Sequence, residues 1–334
     1  LISEAQIIFN LNSDTYYLGK NEEYETMVKA TSLQKKCCYI LTSVNASETA
    51  SDLLYNGQML AYEYGELLLK ENSFNFDSNV QLIDVDIEFL KFIRYQNIFN
   101  QLSEPFIEFD LEIGEDYQLT KKINSEPFVI KSDEQAKEII DVLTTSLYHR
   151  LKHIGISKVV IGVSGGLDST LALLVAHQCF TKYNIPTSNI LAFSMPALAT
   201  GSKSQQIALD LMNELRVKGT VLPIGNEIKS HFDLINHDEN VKNTTYENVQ
   251  ARYRTLVLMN VSNSEKAIVL GTGDMSEIAL GWSTFNGDQM SMYNINAGLP
   301  KTAIRSLVSY FTKIYPNLQF VITDVINEYK DLTS

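Results

Sequence analysis

Three cysteines in 334 residues, two of them adjacent at Cys37 and Cys38, are too few for a disulfide framework. Basic residues are also scarce: 27 Lys and Arg stand against 40 Asp and Glu, a net charge of −13. That excludes a broad surface for nucleic acid or an anionic membrane, so an anionic ligand needs a local site made from backbone amides and a few bases. No uninterrupted apolar run reaches the ~18 residues of a membrane span, and the first residues do not form a basic segment followed by an apolar one. The expectation is a cytosolic protein with neither a nucleic-acid nor a membrane partner. Internal repeats and low-complexity stretches are lacking too. The chain opens on Leu1 rather than Met, so residues are expected before it. What is present, 45% hydrophobic and 20% charged residues, is an ordinary globular composition in a chain long enough for two domains.

Strand and helix signals alternate over the first hundred residues. "AQIIFNL" (5–11), a helical "EEYETMVKATSLQ" (22–34) and "CCYILTSV" (37–44) are followed by turn signals at Asn56-Gly57 and Tyr64-Gly65. Those turns, between "LAYEY" and "ELLLK", predict a hairpin. "VQLIDVDI" (80–87) reads as a further strand and "EFLKFIRYQNIF" (88–99) as a helix. From about 103 to 130 two prolines, a run of acids and no sustained period predict a linker. Ser132 or Asp133 can cap the helix at 134–154. Strands at 158–163, 190–195, 220–224 and 267–272 then alternate with helices at 168–180, 202–215 and 246–263, the order of a parallel sheet covered on both faces.

The stretch with most chemical content is "IGVSGGLDST" (161–170). Gly165 and Gly166 allow a sharp turn in which successive N–H groups face one concavity. Ser164 and Ser169 add hydroxyls, and the helix opening near Asp168 presents its positive end. Phosphate or pyrophosphate suits that combination, and Asp168 suits magnesium, which prefers carboxylate, water and phosphate oxygens. The pattern G-x-x-x-x-G-K-[ST] is absent and the spacing does not fit G-x-G-x-x-G. Ser-Gly-Gly alone equally fits a tight turn in any doubly wound protein; the full S-G-G-x-D-S after an apolar strand is more specific.

That full motif resembles the loop of the ATP pyrophosphatases, which split ATP between the α- and β-phosphates. With "FSMPALAT" (193–200), "ENVQARYRT" (247–255) and "VLGTGDMSEIALGWSTFNGDQMSMYNINAGLPKT" (269–302), in the same order, the stretch from about 128 to 325 is similar to the NAD synthetases. Residues 5–98 resemble the later part of the nitrilase-like amidase domain fused in front of the glutamine-dependent form. The fold implied is α/β: a Rossmann-like parallel sheet of the adenine nucleotide α-hydrolase type, over 131–334, behind a partial nitrilase-like α/β sandwich over 1–102.

The resemblance implies ATP-dependent amidation of deamido-NAD to NAD through an acyl-adenylate, releasing AMP and pyrophosphate, with ammonia from glutamine. ATP is co-substrate and Mg2+ the implied ion. Carried over residue by residue, Gly162, Val163, Ser164, Gly165, Gly166, Leu167, Asp168 and Ser169 form the ATP loop, with Thr272 and Lys301 as further ATP contacts. Asp168 and Lys301 take the catalytic roles, and Asp168 and Glu277 flank the metal. Asn248, Arg252, Glu277, Trp282, Ser283, Thr284 and Phe285 fall on deamido-NAD contacts. The family also implies a homodimer or larger assembly. Taken singly, Trp282 fits a core position, Asn248 and Thr272 fit helix caps, and Arg252 and Arg254 fit surface ion pairs; their collinear order favours the functional assignment.

The amidase half of such an enzyme needs a Cys nucleophile beside Glu and Lys. By the resemblance all three fall before residue 1, so residues 1–334 are not expected to hydrolyse glutamine. Cys37 and Cys38 sit in an apolar strand and read as buried structural thiols. The implied glutamine contacts fall on Asp14 and Lys20, where the family usually has Ser and Arg. Beyond residue 334 a further Ser-Pro-Glu-Leu segment and a closing lobe are expected. His149 and His153, four apart on a helix, lack a third ligand nearby and read as solvated or stem-packed. Another synthetase with the same loop, of the GMP or asparagine type, and a catalytically silent scaffold subunit are the alternatives; "GTGDMSE" with Trp282 opposes the first, and the intact Asp168, Glu277 and Lys301 oppose the second.

Overall fold

The computed structural model describes residues 5–49, 53–71, 74, 76–77, 79–95, 126, 128–198 and 201–333. Two compact units divide the chain, Leu1–Pro127 and Phe128–Ser334. Most of the linker expected at 103–130 lies outside the described residues.

In the first unit β1 (Ile7–Asn12), α1 (Lys20–Lys35) and β2 (Cys38–Ser43) make a parallel crossover. β3 (Met59–Glu63) pairs antiparallel with β2, and β4 (Glu66–Lys70) closes the sheet through the Tyr64-Gly65 hairpin. Tyr24 and Val28 of α1 pack on Leu41, Leu60 and Tyr62. The strand expected at 80–87 does not form. Val80 and Leu82 are 84% and 93% exposed, and among the described residues the segment pairs with no strand before α2 (Ile87–Tyr95) begins. Alternating apolar residues supply the period of a strand, but only a neighbouring strand can supply its hydrogen bonds.

The second unit opens with α3 (Asp133–Ile154), capped by Ser132, whose hydroxyl accepts from the Gln135 N–H at 3.2 Å. There follow β5 (Val159–Gly162), α4 (Leu167–Lys182), β6 (Ile190–Ser194), α5 (Ser202–Glu214), β7 (Lys218–Val221), α6 (Gly225–Leu234) and α7 (Thr244–Glu265). The chain continues through β8 (Ile268–Gly271), α8 (Met275–Leu280), β9 (Tyr293–Asn294), α9 (Lys301–Ile314) and α10 (Gln319–Thr333). All the pairings are parallel, in the order β7-β6-β5-β8-β9. β7 lies two to three residues ahead of the strand expected at 220–224, although Leu222 and Ile224 still donate to Ser194 and Pro196 beside β6.

Near-continuous apolar strands are what a sheet buried on both faces requires. Val159 and Ile161 of β5 point into a core shared with α3, α4, α5, α9 and α10, whereas Val160 packs with Leu191, Val269 and Leu258 of α7 on the other face. α4 is sealed in: Leu171, Leu173, Leu174 and Val175 are all fully buried, each side chain contributing roughly 1.5–3 kcal/mol of transfer free energy. Strand order reverses between β5 and β8, and open sheets of this kind bind ligands outside the carboxyl ends of the strands at that point.

Candidate active site

Both loops at the reversal point are built by local rules. After β5 the chain turns at Gly165, whose φ of 89° is the left-handed conformation that glycine adopts without strain. The carbonyl of Ser204, in the first turn of α5, lies so close that a Cβ at Gly165 would collide with it. Val163 and Leu167 are buried and anchor the loop on either side. Its two serines close it. The Gly166 N–H donates to Ser164 Oγ and the Ser164 N–H to Ser169 Oγ, both at 3.2 Å, while the Ser169 hydroxyl donates to the Gly166 carbonyl at 3.2 Å. Gly166 caps α4 without a side chain, leaving a helix N-terminus with its positive end free for an anion.

The loop after β8 runs through Thr272 and Gly273 to Asp274, which caps the short α8. Asp274 Oδ1 accepts the Glu277 N–H at 2.7 Å and Glu277 Oε2 accepts the Asp274 N–H at 3.2 Å, a reciprocal capping box. Asn296, fully buried, ties the two loops together: its Nδ2 donates to the Asp168 carbonyl at 2.9 Å and to the Thr272 carbonyl at 3.1 Å.

Lys301, the first residue of α9, reaches into this junction. Its Nζ lies 2.5 Å from Asp168 Oδ2, 3.1 Å from Glu277 Oε1 and 3.3 Å from Asp274 Oδ2. Burial works against the charge on Lys301, but the hydrogen bonds and charges of Asp168 and Glu277 win and hold its pKa well above the ordinary lysine range. Burial pushes the Asp168 carboxyl upward, opposed by Lys301 and assisted by Glu277 and Asp274. The ammonium therefore stays protonated at neutral pH, with the carboxyl groups of Asp168, Glu277 and Asp274 gathered on it.

These carboxyl oxygens bear on a divalent cation. Asp168 Oδ1 is buried and accepts no hydrogen bond, the condition expected of an oxygen made for a cation; Asp274 Oδ2 likewise accepts none but faces Lys301 Nζ at 3.3 Å. Among the described residues no group of three or more His, Cys, Asp or Glu side chains is already spaced as a metal cage; the carboxylates here are gathered on Lys301. The donor set of carboxylate oxygens fits Mg2+, which is commonly held by one or two carboxylates together with phosphate oxygens and water.

The residues expected on the dinucleotide side also meet. Asn248 and Arg252, one turn apart on α7, hold the segment after α8: Thr284 Oγ1 donates to Asn248 Oδ1 at 2.8 Å and Arg252 Nε donates to the Phe285 carbonyl at 3.0 Å. Ser283 is exposed, and Trp282 and Phe285 are 79% and 70% exposed, so the single tryptophan is not a core residue. Arg254 is not a surface ion pair either; it is half-buried and its Nε donates to the Met195 carbonyl at 3.3 Å.

Asp14 and Lys20 lie in the first unit. Asp14 is exposed and accepts from the Tyr24 hydroxyl at 2.8 Å. Lys20 is 1% exposed, its Nζ donating to the Thr15 carbonyl at 2.5 Å. Cys37 and Cys38 are fully buried, and burial pushes the Cys38 thiol up to about 11, far from a reactive thiolate. The rings of His149 and His153 lie 6.2 Å apart.

Sequence reasoning assigned no role to Asp274 or Asn296. Asp274 had a readable signal, the D-x-x-E spacing of a capping box ahead of a helix. Asn296 had none: its partners are backbone carbonyls 24 and 128 residues away.

A parallel sheet of this order with a serine-glycine loop after its central strand is the architecture of the ATP-pyrophosphatase class. The NAD synthase family model matches residues 139–321, more than half of the chain, and the chain belongs to that family. It is 36% identical over 330 residues to a glutamine-dependent NAD(+) synthetase of Mycobacterium leprae, covering 92% of this chain and 48% of that one. An NH(3)-dependent NAD(+) synthetase of Fusobacterium nucleatum is 31% identical over 180 residues, 54% of this chain and 67% of that protein. Among solved structures, the glutamine-dependent NAD+ synthetase of Acinetobacter baumannii, in complex with ADP, superposes with a TM-score of 0.75 at 22% identity. That superposition covers 96% of this chain and 53% of the other, so both units have counterparts in that fold. The chain spans about half the length of the glutamine-dependent relatives it matches.

Proposed function

We propose that this chain carries the synthetase activity of a glutamine-dependent NAD(+) synthetase: ATP-dependent amidation of deamido-NAD to NAD, with release of AMP and pyrophosphate. The observation that carries the reading is the convergence on Lys301 of Asp168 from the glycine loop and Glu277 from the loop after β8, at the point where strand order reverses. A reaction between two anions requires positive charge at that point, which the Lys301 ammonium, and a divalent cation held by the carboxyl groups, would supply.

In the first step an oxygen of the nicotinate carboxylate bonds to the α-phosphorus of ATP and the bond to the bridging oxygen breaks, its electrons leaving with pyrophosphate. In the second, ammonia attacks the acyl carbon of the adenylate, AMP leaves with the anhydride oxygen, and the surplus proton of the nitrogen passes to solvent. No protein nucleophile takes part. The loop from Gly162 to Ser169, with the N-terminus of α4, would cradle the phosphates, and Thr272 would line the nucleotide. Lys301 would neutralise charge developing on the leaving oxygens, a contribution of roughly 10²–10³ in rate for one well-placed donor. Asn248, Arg252 and the segment Trp282–Phe285 would hold deamido-NAD, fixing the carboxylate in line with the phosphorus. Asp168 and Glu277 would hold Mg2+, which supplies charge neutralisation across the phosphates when bound.

Ammonia would come from glutamine in the whole enzyme, and the NH(3)-dependent relative supports free ammonia as the immediate donor. Asp14 would contact glutamine from the surface; Lys20 would act only by fixing the Thr15 turn. A cytosolic setting, expected from the sequence composition, and a homodimer or larger assembly, implied by the family resemblance, complete the reading. The test is formation of NAD and pyrophosphate from deamido-NAD and Mg-ATP, with ammonium or glutamine, by the wild type and Asp168→Ala. NAD formed with ammonium and lost in the variant is the expected result. No NAD from either donor would overturn the reading.

A further inference from the structure

Capping explains one oxygen of Asp274 and leaves the other without a task. Oδ1 accepts the Glu277 N–H and closes the capping box. Asn or Ser caps a helix about as well as Asp, so the cap does not call for a charge. Yet the residue is a carboxylate with 0% exposure, and its Oδ2 accepts no hydrogen bond and faces Lys301 Nζ at 3.3 Å. A buried charge is retained at a cost unless a counter-charge answers it. The counter-charge is Lys301, which Asp168 and Glu277 also hold, at 2.5 and 3.1 Å.

We propose that Asp274 is a positioning residue for Lys301: it keeps the ammonium in the site when Asp168 and Glu277 turn to a divalent cation. Those two carboxylates are the ones the proposed function gives to Mg2+, and the inference rests on that reading. With them engaged elsewhere, Asp274 is the remaining anion of the cluster in contact with Lys301. Its backbone places it well for the task, because the capping box and the Met275 N–H bond to the Leu299 carbonyl, at 3.0 Å, fix the start of α8 against the turn that leads into α9. A residue that merely capped α8 would act on Lys301 equally with and without the ion.

The variant that separates the two roles is D274N, which retains a cap and removes the charge. Lys301 is acylated with a lysine-directed reagent in its folded protein, with and without millimolar Mg2+, and its labelling rate is read by mass spectrometry. Without Mg2+ the variant and the wild type should label within about twofold of each other, since Asp168 still holds the ammonium. With Mg2+, Lys301 of the variant should label about fivefold faster or more, as expected for loss of its remaining counter-charge. In NAD formation kcat should fall about tenfold while the KM for ATP changes by less than about twofold, the pattern of a contact that matters in the transition state.

An equal labelling ratio with and without Mg2+ overturns the proposal. D274S, also a capping side chain, is put to the same measurement if D274N does not fold. The two readings fail separately. A Mg2+-dependent labelling difference in proteins that form no NAD upholds Asp274 and overturns the synthetase reading. Unchanged labelling and kcat in a variant that forms NAD does the reverse.

Discussion

Each unit of the chain draws a lysine out of solvent, Lys20 fully and Lys301 in part, and the two are held in opposite ways. Lys20 is 1% exposed and is met by one backbone carbonyl, that of Thr15, and by the rings of Tyr17 and Tyr24 at 5.5 and 5.0 Å from their centroids. Burial dominates and lowers its pKa despite the nearby charges of Asp14 and Glu23. Lys301 keeps 28% of its side-chain surface and is met by three carboxylates, and its pKa is raised. Burial alone therefore does not decide how a lysine titrates: Lys20 is answered by a carbonyl and two rings, Lys301 by three carboxyl groups, and the proposed function places its cation at the second.

Lysine-to-methionine changes press that contrast hardest, because methionine keeps the stem and removes the charge. Lys301→Met should lower kcat for NAD formation by roughly 10²–10³. Lys20→Met should leave that rate with ammonium unchanged and the melting temperature level or higher, since replacing a buried charge by an apolar side chain of similar volume is often neutral or stabilising. Equal losses of activity in both variants would break the distinction.

Gly165→Ala comes next. The left-handed φ costs about 1–3 kcal/mol for a residue with a Cβ, and the collision with the Ser204 carbonyl has to be relieved by moving backbone. The expected outcome is a KM for ATP raised by at least about tenfold, with only a modest fall in melting temperature because the loop lies at the end of the sheet and not within its core. A large fall in melting temperature with an unchanged KM would instead make the loop a structural element.

The two lysines should also differ in the sign of their pH dependence. The ordinary lysine pKa is 10.5. Lys301, raised above it, contributes stability that is fully present below 10.5 and is lost as pH rises through the folded value. Lys20, lowered below it, opposes folding while its folded form must carry the proton, and stability recovers as pH climbs from that lowered value to 10.5. Melting curves taken from neutral pH up to 10.5 should show the advantage of Lys20→Met shrinking with pH. The deficit of Lys301→Met should hold constant over the same range.

Much of the second unit could be read in the sequence because its elements follow local rules. The strand expected at 158–163 is Val159–Gly162, the helix expected at 168–180 is Leu167–Lys182, and that expected at 246–263 is Thr244–Glu265. Apolar runs, glycine punctuation and an Asn or Ser cap suffice for those. The strand expected at 80–87 failed because pairing is not a local property. α9 was within reach, since Leu307, Val308 and Phe311 recur at helical spacing and are buried. What no local pattern carries is convergence: nothing in "LPKTAIR" says that Lys301 faces Asp168, 133 residues earlier.

Thr284 offers the finest resolution of the contrast between structural and working contacts. Its hydroxyl donates to Asn248 Oδ1 at 2.8 Å, and its N–H donates to Asp288 Oδ1 at 2.7 Å. The first bond fixes the orientation of the Asn248 amide, leaving the amide N–H groups to donate elsewhere; the second fixes the turn and survives substitution of the side chain. Thr284→Val is close in shape and removes only the hydroxyl. One hydrogen bond is worth about 1 kcal/mol, so the KM for deamido-NAD should rise about fivefold while the KM for ATP stays unchanged. Were Asn248 only a brace for the segment after α8, the same substitution would lower the melting temperature by a few degrees and leave both KM values alone. Asn248→Ala should then show the same pattern, whereas a residue that orients the dinucleotide should lose more affinity on its own removal than on removal of the hydroxyl behind it.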